Sequence, residues 1–197
     1  MRIILASKSP RRKELLSLIT KDFEVIVSNA DENVSEELSP EEKVQAIAVQ
    51  KAEDVFQSME KGVNSHEDMV VIGCDTIVVL DNEIYGKPKD RDDAIRMLKK
   101  FSNRNHEVMS GLCMIFRKNG QILKKIACDT TMVHVKQLSE DEIEKWLDTG
   151  NAWDKAGAYA IQQEFAVHID KINGNYDTVM GLPIHKVYDF LKEESIG

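Results

Sequence analysis

Apolar and polar positions change period along the chain, and the changes divide it into strands and helices in mixed order. Residues 3–6 form a short apolar run that reads as a strand. Ser9-Pro10 then opens a helix, with serine as N-cap and proline in the first turn. Leu15, Leu16, Leu18 and Ile19 supply the apolar side of that helix. Residues 23–27 suggest a second strand, and 31–39 an acidic, polar loop. Ser39-Pro40 repeats the helix start, and Glu42 completes a capping box three residues after Ser39. This helix is predicted to run to about Phe56, followed by a polar linker at 64–68. Residues 70–80, VVIGCDTIVVL, read as a strand buried on both faces. A tight turn at Asp81-Asn82 and a helix over 90–101 follow, the helix carrying Ala94, Ile95, Leu98 and Phe101 at helical spacing. Strands over 108–117 and 122–135 meet at Asn119-Gly120, a pair that tolerates the positive φ of a two-residue hairpin. A capped helix over 139–149 stops at Gly150. The segment 165–172 and Asn173-Gly174 lead to a final helix over 183–192. Helices and strands interleaved with hairpins imply an α/β or α+β fold around a mixed sheet.

One position breaks this pattern. Asp75 lies inside VVIGCDTIVVL, where an unpaired carboxylate would cost several kcal/mol or go neutral, so roughly that much compensation is required. A metal ion, a cationic partner, or a strand end opening into a cleft would each supply it.

Composition narrows the setting. The chain has 197 residues, enough for one domain or two small lobes with a substantial core. It is 42% hydrophobic and 30% charged, as soluble globular proteins are. No apolar run approaches a membrane span, and the opening residues lack the apolar core of a secretory signal. Cys74, Cys113 and Cys128 show no CxxC spacing and read as reduced core thiols, which fits a cytoplasmic location. The five histidines form no zinc-type pairs. A net charge of −8 disfavours stable nucleic-acid binding. It also requires any polyanionic substrate to meet cations held locally at its site.

Several side chains offer such charge. ASKSPRRKELL sets a strand, a polar loop and a helix start in series, and free N–H groups at such a start attract anions. Ser7 and Ser9 add hydroxyls; Arg11 and Arg12 add guanidinium forks suited to phosphate. The plainer reading is a capped surface helix with solvated arginines. Lys51 lies seven residues after Val44 and four before Val55, on the apolar stripe of its helix, so it either snorkels from the core edge or reaches into a cleft. Lys87, in the turn Tyr85-Gly86-Lys87-Pro88, is expected to return toward Asp75. Glu32 is either one more charge in an acidic loop or a metal ligand. Gln162, after AGAYA, carries an amide able to donate to one atom of a base edge and accept from the next.

In order along the chain, SKSPRRKELL, VIGCDTIVVL, GKP, DKAGAYAIQ and VMGLP resemble the Maf family of nucleoside triphosphate pyrophosphatases. The resemblance spans nearly the whole chain. It implies a mixed α/β, inosine-triphosphatase-like fold in which a central twisted mixed sheet is flanked by helices, with two lobes and a cleft between them, forming one catalytic domain over 1–197. It implies hydrolysis of a nucleoside triphosphate to monophosphate and pyrophosphate, dependent on a divalent metal, Mg²⁺ or Mn²⁺, and a homodimer. Arg11 after Ser9-Pro10, Thr76 and Gln162 match the branch acting on dTTP and UTP and are implied specificity residues, with CTP and modified pyrimidines as further substrates. Ser7, Arg12, Glu32, Lys51, Asp75 and Lys87 match the catalytic set, with Glu32 and Asp75 at the metal; Asp75 is either general base or metal ligand. The chain departs at Ala160, where glycine is common, at Trp153 before DKAGAY, and in QEFAVHID after Gln162. Two rivals remain. A haloacid-dehalogenase-type phosphatase would need a second aspartate where Ile77 stands. A septum-formation inhibitor of cell division would act by partner binding.

Overall fold

The computed structural model describes residues 1–61 and 67–194, so most of the expected linker at 64–68 lies outside the described residues. A seven-stranded mixed sheet carries the fold. Its strands are β1 (Arg2–Leu5), β2 (Glu24–Val25), β3 (Met69–Leu80), β4 (Glu83–Tyr85), β5 (Arg104–Lys118), β6 (Gln121–Val135) and β7 (Ile169–Asn173), in the order β2-β1-β3-β5-β6-β7 with β4 on β3. β1 runs parallel to β2 and β3; β3–β4 and β6–β7 are antiparallel. The helices are α1 (Pro10–Leu16), α2 (Pro40–Glu60), α3 (Arg91–Phe101), α4 (Glu140–Asp148), α5 (Tyr176–Met180) and α6 (Ile184–Glu193).

The chain forms two compact units. One comprises Met1–Asp75, Ser110–Asp129 and Met180–Gly197; the other comprises Thr76–Met109 and Thr130–Val179. β3 passes from the first to the second between Asp75 and Thr76.

In the first unit, α2 begins with the expected capping box: Ser39 Oγ accepts from the Glu42 N–H, and the Glu42 carboxylate accepts from the Ser39 N–H. Two glycines let this helix approach the sheet. A Cβ on Gly73 would lie 2.3 Å from the Ala48 carbonyl oxygen, and one on Gly111 2.3 Å from that of Val44. Neither neighbour can yield, because both are helix backbone. Ala48, Ala52 and Val55 consequently pack at full burial against the sheet face that holds Ile4, Val71 and Cys113.

In the second unit, α3 and α4 bury Leu98, Phe101, Trp146 and Leu147 against Val108, Val133 and Val135. Each such side chain contributes about 1.5–3 kcal/mol on leaving water. Phe101, His106, Tyr159, Phe165 and Trp146 form a continuous ring cluster within this core.

The elements differ from expectation in several places, β5 among them, which begins at Arg104 rather than at 108. α1 stops at Leu16, because the Leu18 and Ile19 N–H groups turn to carbonyls only three residues back; Leu18 is left 70% exposed. β2 is only two exposed residues. α2 continues one turn past Phe56 to Glu60. α5 was not foreseen, and residues 163–168, ahead of β7, form a 3₁₀ turn.

Candidate active site

Every residue of β3 is buried except Asp75 and Thr76. The Asp75 side chain keeps 15% of its surface exposed, and its Oδ1 lies 2.7 Å from Lys51 Nζ. Lys51 reaches this point because α2 is amphipathic: Ala48, Lys51 and Val55 share the stripe that faces the sheet. With 13% exposure it is no solvated surface lysine. Its Nζ also lies 3.1 Å from Glu32 Oε1, in the loop after β2. Glu32 is itself half exposed and adopts φ 56, the left-handed region. Asp75 thus has its cation, in the middle of a strand rather than at its end. One ammonium is shared by two carboxylates.

The start of α1 builds a second cluster in the same unit. Ser9 caps the helix by accepting from the Arg12 N–H at 3.5 Å. Ser7 is buried, and its Oγ accepts from the Ser9 N–H and from Arg12 Nη1, each at 3.2 Å. Arg12 Nε donates to the Gly181 carbonyl at 2.7 Å. The same carbonyl receives the Cys74 thiol at 3.1 Å. Burial pushes the Cys74 pKa up to about 11, so the thiol stays protonated and serves as a donor rather than a nucleophile. Gly181 has φ 107, a conformation suited to glycine, and this aims its oxygen. The part Gly181 plays was not read from the sequence, although VMGLP singled out its segment. Arg11 sits half-buried beside Arg12 on α1.

Thr76, Lys87 and Gln162 belong to the second unit. Thr76 is half-buried on β3, and Lys87 is exposed in the turn after β4. That turn is fastened to the DKAGAY loop, because the Gly157 N–H donates to the Gly86 carbonyl at 3.0 Å. The loop is fixed twice more: Trp146 Nε1 donates to the Ala158 carbonyl at 2.7 Å, and Tyr159 Oη hydrogen-bonds to His106 Nε2 at 2.7 Å. Half-buried Gln162 therefore follows a rigid segment. The unusual QEFAVHID sequence has a packing reason. Phe165 is 1% exposed, with ring centroids 5.3 Å from Trp146 and 5.4 Å from Tyr159, so a 3₁₀ turn built around it backs the Gln162 loop.

The residues at Lys51 suit a magnesium-type cation. Among the described residues no group of three or more His, Cys, Asp or Glu forms a metal cage. Mg²⁺ needs none: it takes one or two carboxylates and completes its shell with water and substrate phosphate oxygens. Glu32 and Asp75, close enough to share one ammonium, are hard oxygen donors of that kind.

No helix among the described residues is long and apolar enough to cross a membrane. The Staphylococcus aureus Ham1 protein superposes with a TM-score of 0.52 at 16% identity, over 99% of this chain and all of that one, which shows a shared fold. Relatives named dTTP/UTP pyrophosphatase resemble the chain from end to end. The Acetivibrio thermocellus protein is 45% identical over 197 residues, 100% of this chain and 97% of that protein. The Thermoanaerobacter sp. (strain X514) protein is 45% identical over 98% of this chain and 97% of its own. The Bacillus velezensis protein is 43% identical over 99% of this chain and 97% of its own. Since the Maf-like protein family model also matches residues 2–194, the chain belongs to that family.

Proposed function

We propose that the chain hydrolyses dTTP and UTP to their monophosphates and pyrophosphate. The observation that carries this reading is Asp75, a carboxylate set in an otherwise sealed strand and held against Lys51, whose ammonium also meets Glu32. The end-to-end likeness to proteins named for this activity supports it.

A triphosphate brings about four negative charges to a chain of net charge −8, so binding needs local cations. Arg12 offers a guanidinium pre-set by Ser7 and Gly181, and a fixed fork loses less entropy on meeting phosphate. Lys51 and Lys87 add ammonium charge. A divalent cation, Mg²⁺ or Mn²⁺, would be held by Glu32 and Asp75 and would neutralise phosphate oxygens. Water attacks the α-phosphorus, the bond to the bridging oxygen breaks, and pyrophosphate leaves. Asp75 serves either by accepting the proton of that water or by holding the cation. Lys51 balances charge on the departing pyrophosphate, and the family resemblance assigns the same task to Lys87.

For the base, the Gln162 amide is suited to donate to O4 and accept from N3–H, and the family resemblance assigns Arg11 to specificity as well. One methyl at C5 is worth only about 1–3 kcal/mol of discrimination, so dTTP and UTP are both used. A panel of natural and modified nucleoside triphosphates, assayed for pyrophosphate release with and without Mg²⁺ or Mn²⁺, tests the reading. Pyrimidine substrates with a metal requirement are expected. Better turnover of purines contradicts the Arg11, Thr76 and Gln162 roles, and orthophosphate as product contradicts the reaction.

A further inference from the structure

Three residues of α2 hold the loop that carries Glu32. Asp54 Oδ2 accepts from Ser28 Oγ at 2.9 Å and from the Asn29 N–H at 2.7 Å. Ser28 Oγ in turn accepts from the Ala30 N–H at 3.0 Å. Gln50 Nε2 donates to the Asn33 carbonyl at 2.7 Å. Lys51, beside Gln50 in sequence, meets Glu32 itself. On a helix these three positions fall within an arc of about 100°, with residue 54 one turn beyond the other two and between them in angle. The loop is therefore pinned just before Glu32 and just after it.

Two further features show that the pinning is specific. Glu32 sits at φ 56, where a side chain with a Cβ is disfavoured; such a conformation persists when its surroundings over-determine it. The Gln50 Oε1 atom is buried without a hydrogen-bond partner among the described residues. Turning the amide over would set that oxygen against the Asn33 carbonyl, acceptor to acceptor. The grip on Asn33 is kept although the amide oxygen goes unpaired.

We propose that Gln50 and Asp54 are positioning residues for Glu32: they hold its carboxylate beside Lys51 and Asp75 as a preformed cation ligand. This rests on the reading of Glu32 as a ligand. Groups that orient a metal ligand commonly change metal affinity by about 10–100-fold; here the grip is on the loop to either side of Glu32 rather than on its carboxylate, and the unclamped loop must be ordered on binding.

The test is a Mn²⁺ titration of the full chain followed by electron paramagnetic resonance, with the non-hydrolysable analogue α,β-imido-dUTP present. Thermal melts are recorded in parallel. Asp54→Ala and Gln50→Leu should each raise the half-saturating Mn²⁺ concentration by about tenfold. Asp54→Asn, whose amide oxygen can accept both bonds, should stay within about twofold of the unaltered chain. Folded Asp54→Ala and Gln50→Leu chains that bind Mn²⁺ as the unaltered chain does would overturn the proposal. So would Asp54→Asn failing as badly as Asp54→Ala, since that assigns the effect to charge. Glu32→Gln serves as the reference: a Mn²⁺ curve unchanged by it overturns the ligand assignment itself, a result separate from any failure of the clamps.

Discussion

Two polar centres inside this protein have opposite characters. At Asp75 and Lys51, two ionised side chains keep 15% and 13% of their surface in contact with solvent, and Glu32 adds a third charge. At His106 and Tyr159, a neutral pair is sealed among rings, with His106 1% exposed. Burial drives the His106 pKa down to about 3 and the Tyr159 phenol well above its ordinary value. Both groups are thereby kept uncharged. Desolvation decides the difference: an ion survives at the edge of the core when a counter-ion and some water reach it, while a fully enclosed group must be neutral. On the proposed reading the first centre binds charge and moves protons. The second holds a loop in place.

Removing the cation of the charged centre should have a large effect, second only to replacing Asp75 itself. Lys51→Met should lower pyrophosphate release by about 10²–10³-fold, the scale of losing one preorganised electrostatic contact. His106→Gln should lower it only a few fold. Equal losses in the two variants would break the distinction. Gly73→Ala should follow, costing about 1–3 kcal/mol in urea unfolding, because the added carbon meets helix backbone at Ala48. An unchanged midpoint would mean that α2 is not held as closely as Lys51 requires.

The neutral centre predicts a pH effect. The unfolded chain protonates His106 near 6.5, while the folded chain resists until about 3. Its contribution to stability is thus full above 6.5 and is lost as pH falls through that window, by at most about 1.4 kcal/mol per pH unit. His106→Gln should flatten this slope in unfolding midpoints measured from pH 7 to 5; an unaltered slope assigns it to other groups. The smallest change concerns the base. Gln162→Glu should reduce kcat/KM for UTP by about tenfold with no shift in unfolding midpoint, and a comparable fall in stability would recast Gln162 as a structural residue.

Features written in local chemistry were legible. The capping box at Ser39 and the capped helix start at Ser139 are present, and the two predicted turns have positive φ at Asp81 and Asn82 and at Asn119 and Gly120. Helical periodicity alone showed that Lys51 faces the core side of α2, and a carboxylate among β-branched residues marked Asp75. Features set by distant partners were not legible. Leu18 looked like a helix face but lies beyond the end of α1, where the chain tightens. The Gly181 carbonyl that holds Arg12 is a backbone atom and leaves no residue-type signature. The Gln50 and Asp54 grips span 17 and 25 residues, and polar side chains on a helix read as solvated until their partners are seen. The sequence departures after Gln162 resolve into packing, since Phe165 fills the space behind that loop.

The most direct test replaces the carboxylate at the centre of the first cluster while keeping its shape. With UTP and Mg²⁺, the Asp75→Asn chain should release pyrophosphate at least about a thousandfold more slowly than the unaltered chain, with the same circular dichroism and an equal or higher melting temperature. Pyrophosphate release within a few fold of the unaltered rate would contradict Asp75 as either proton acceptor or cation ligand.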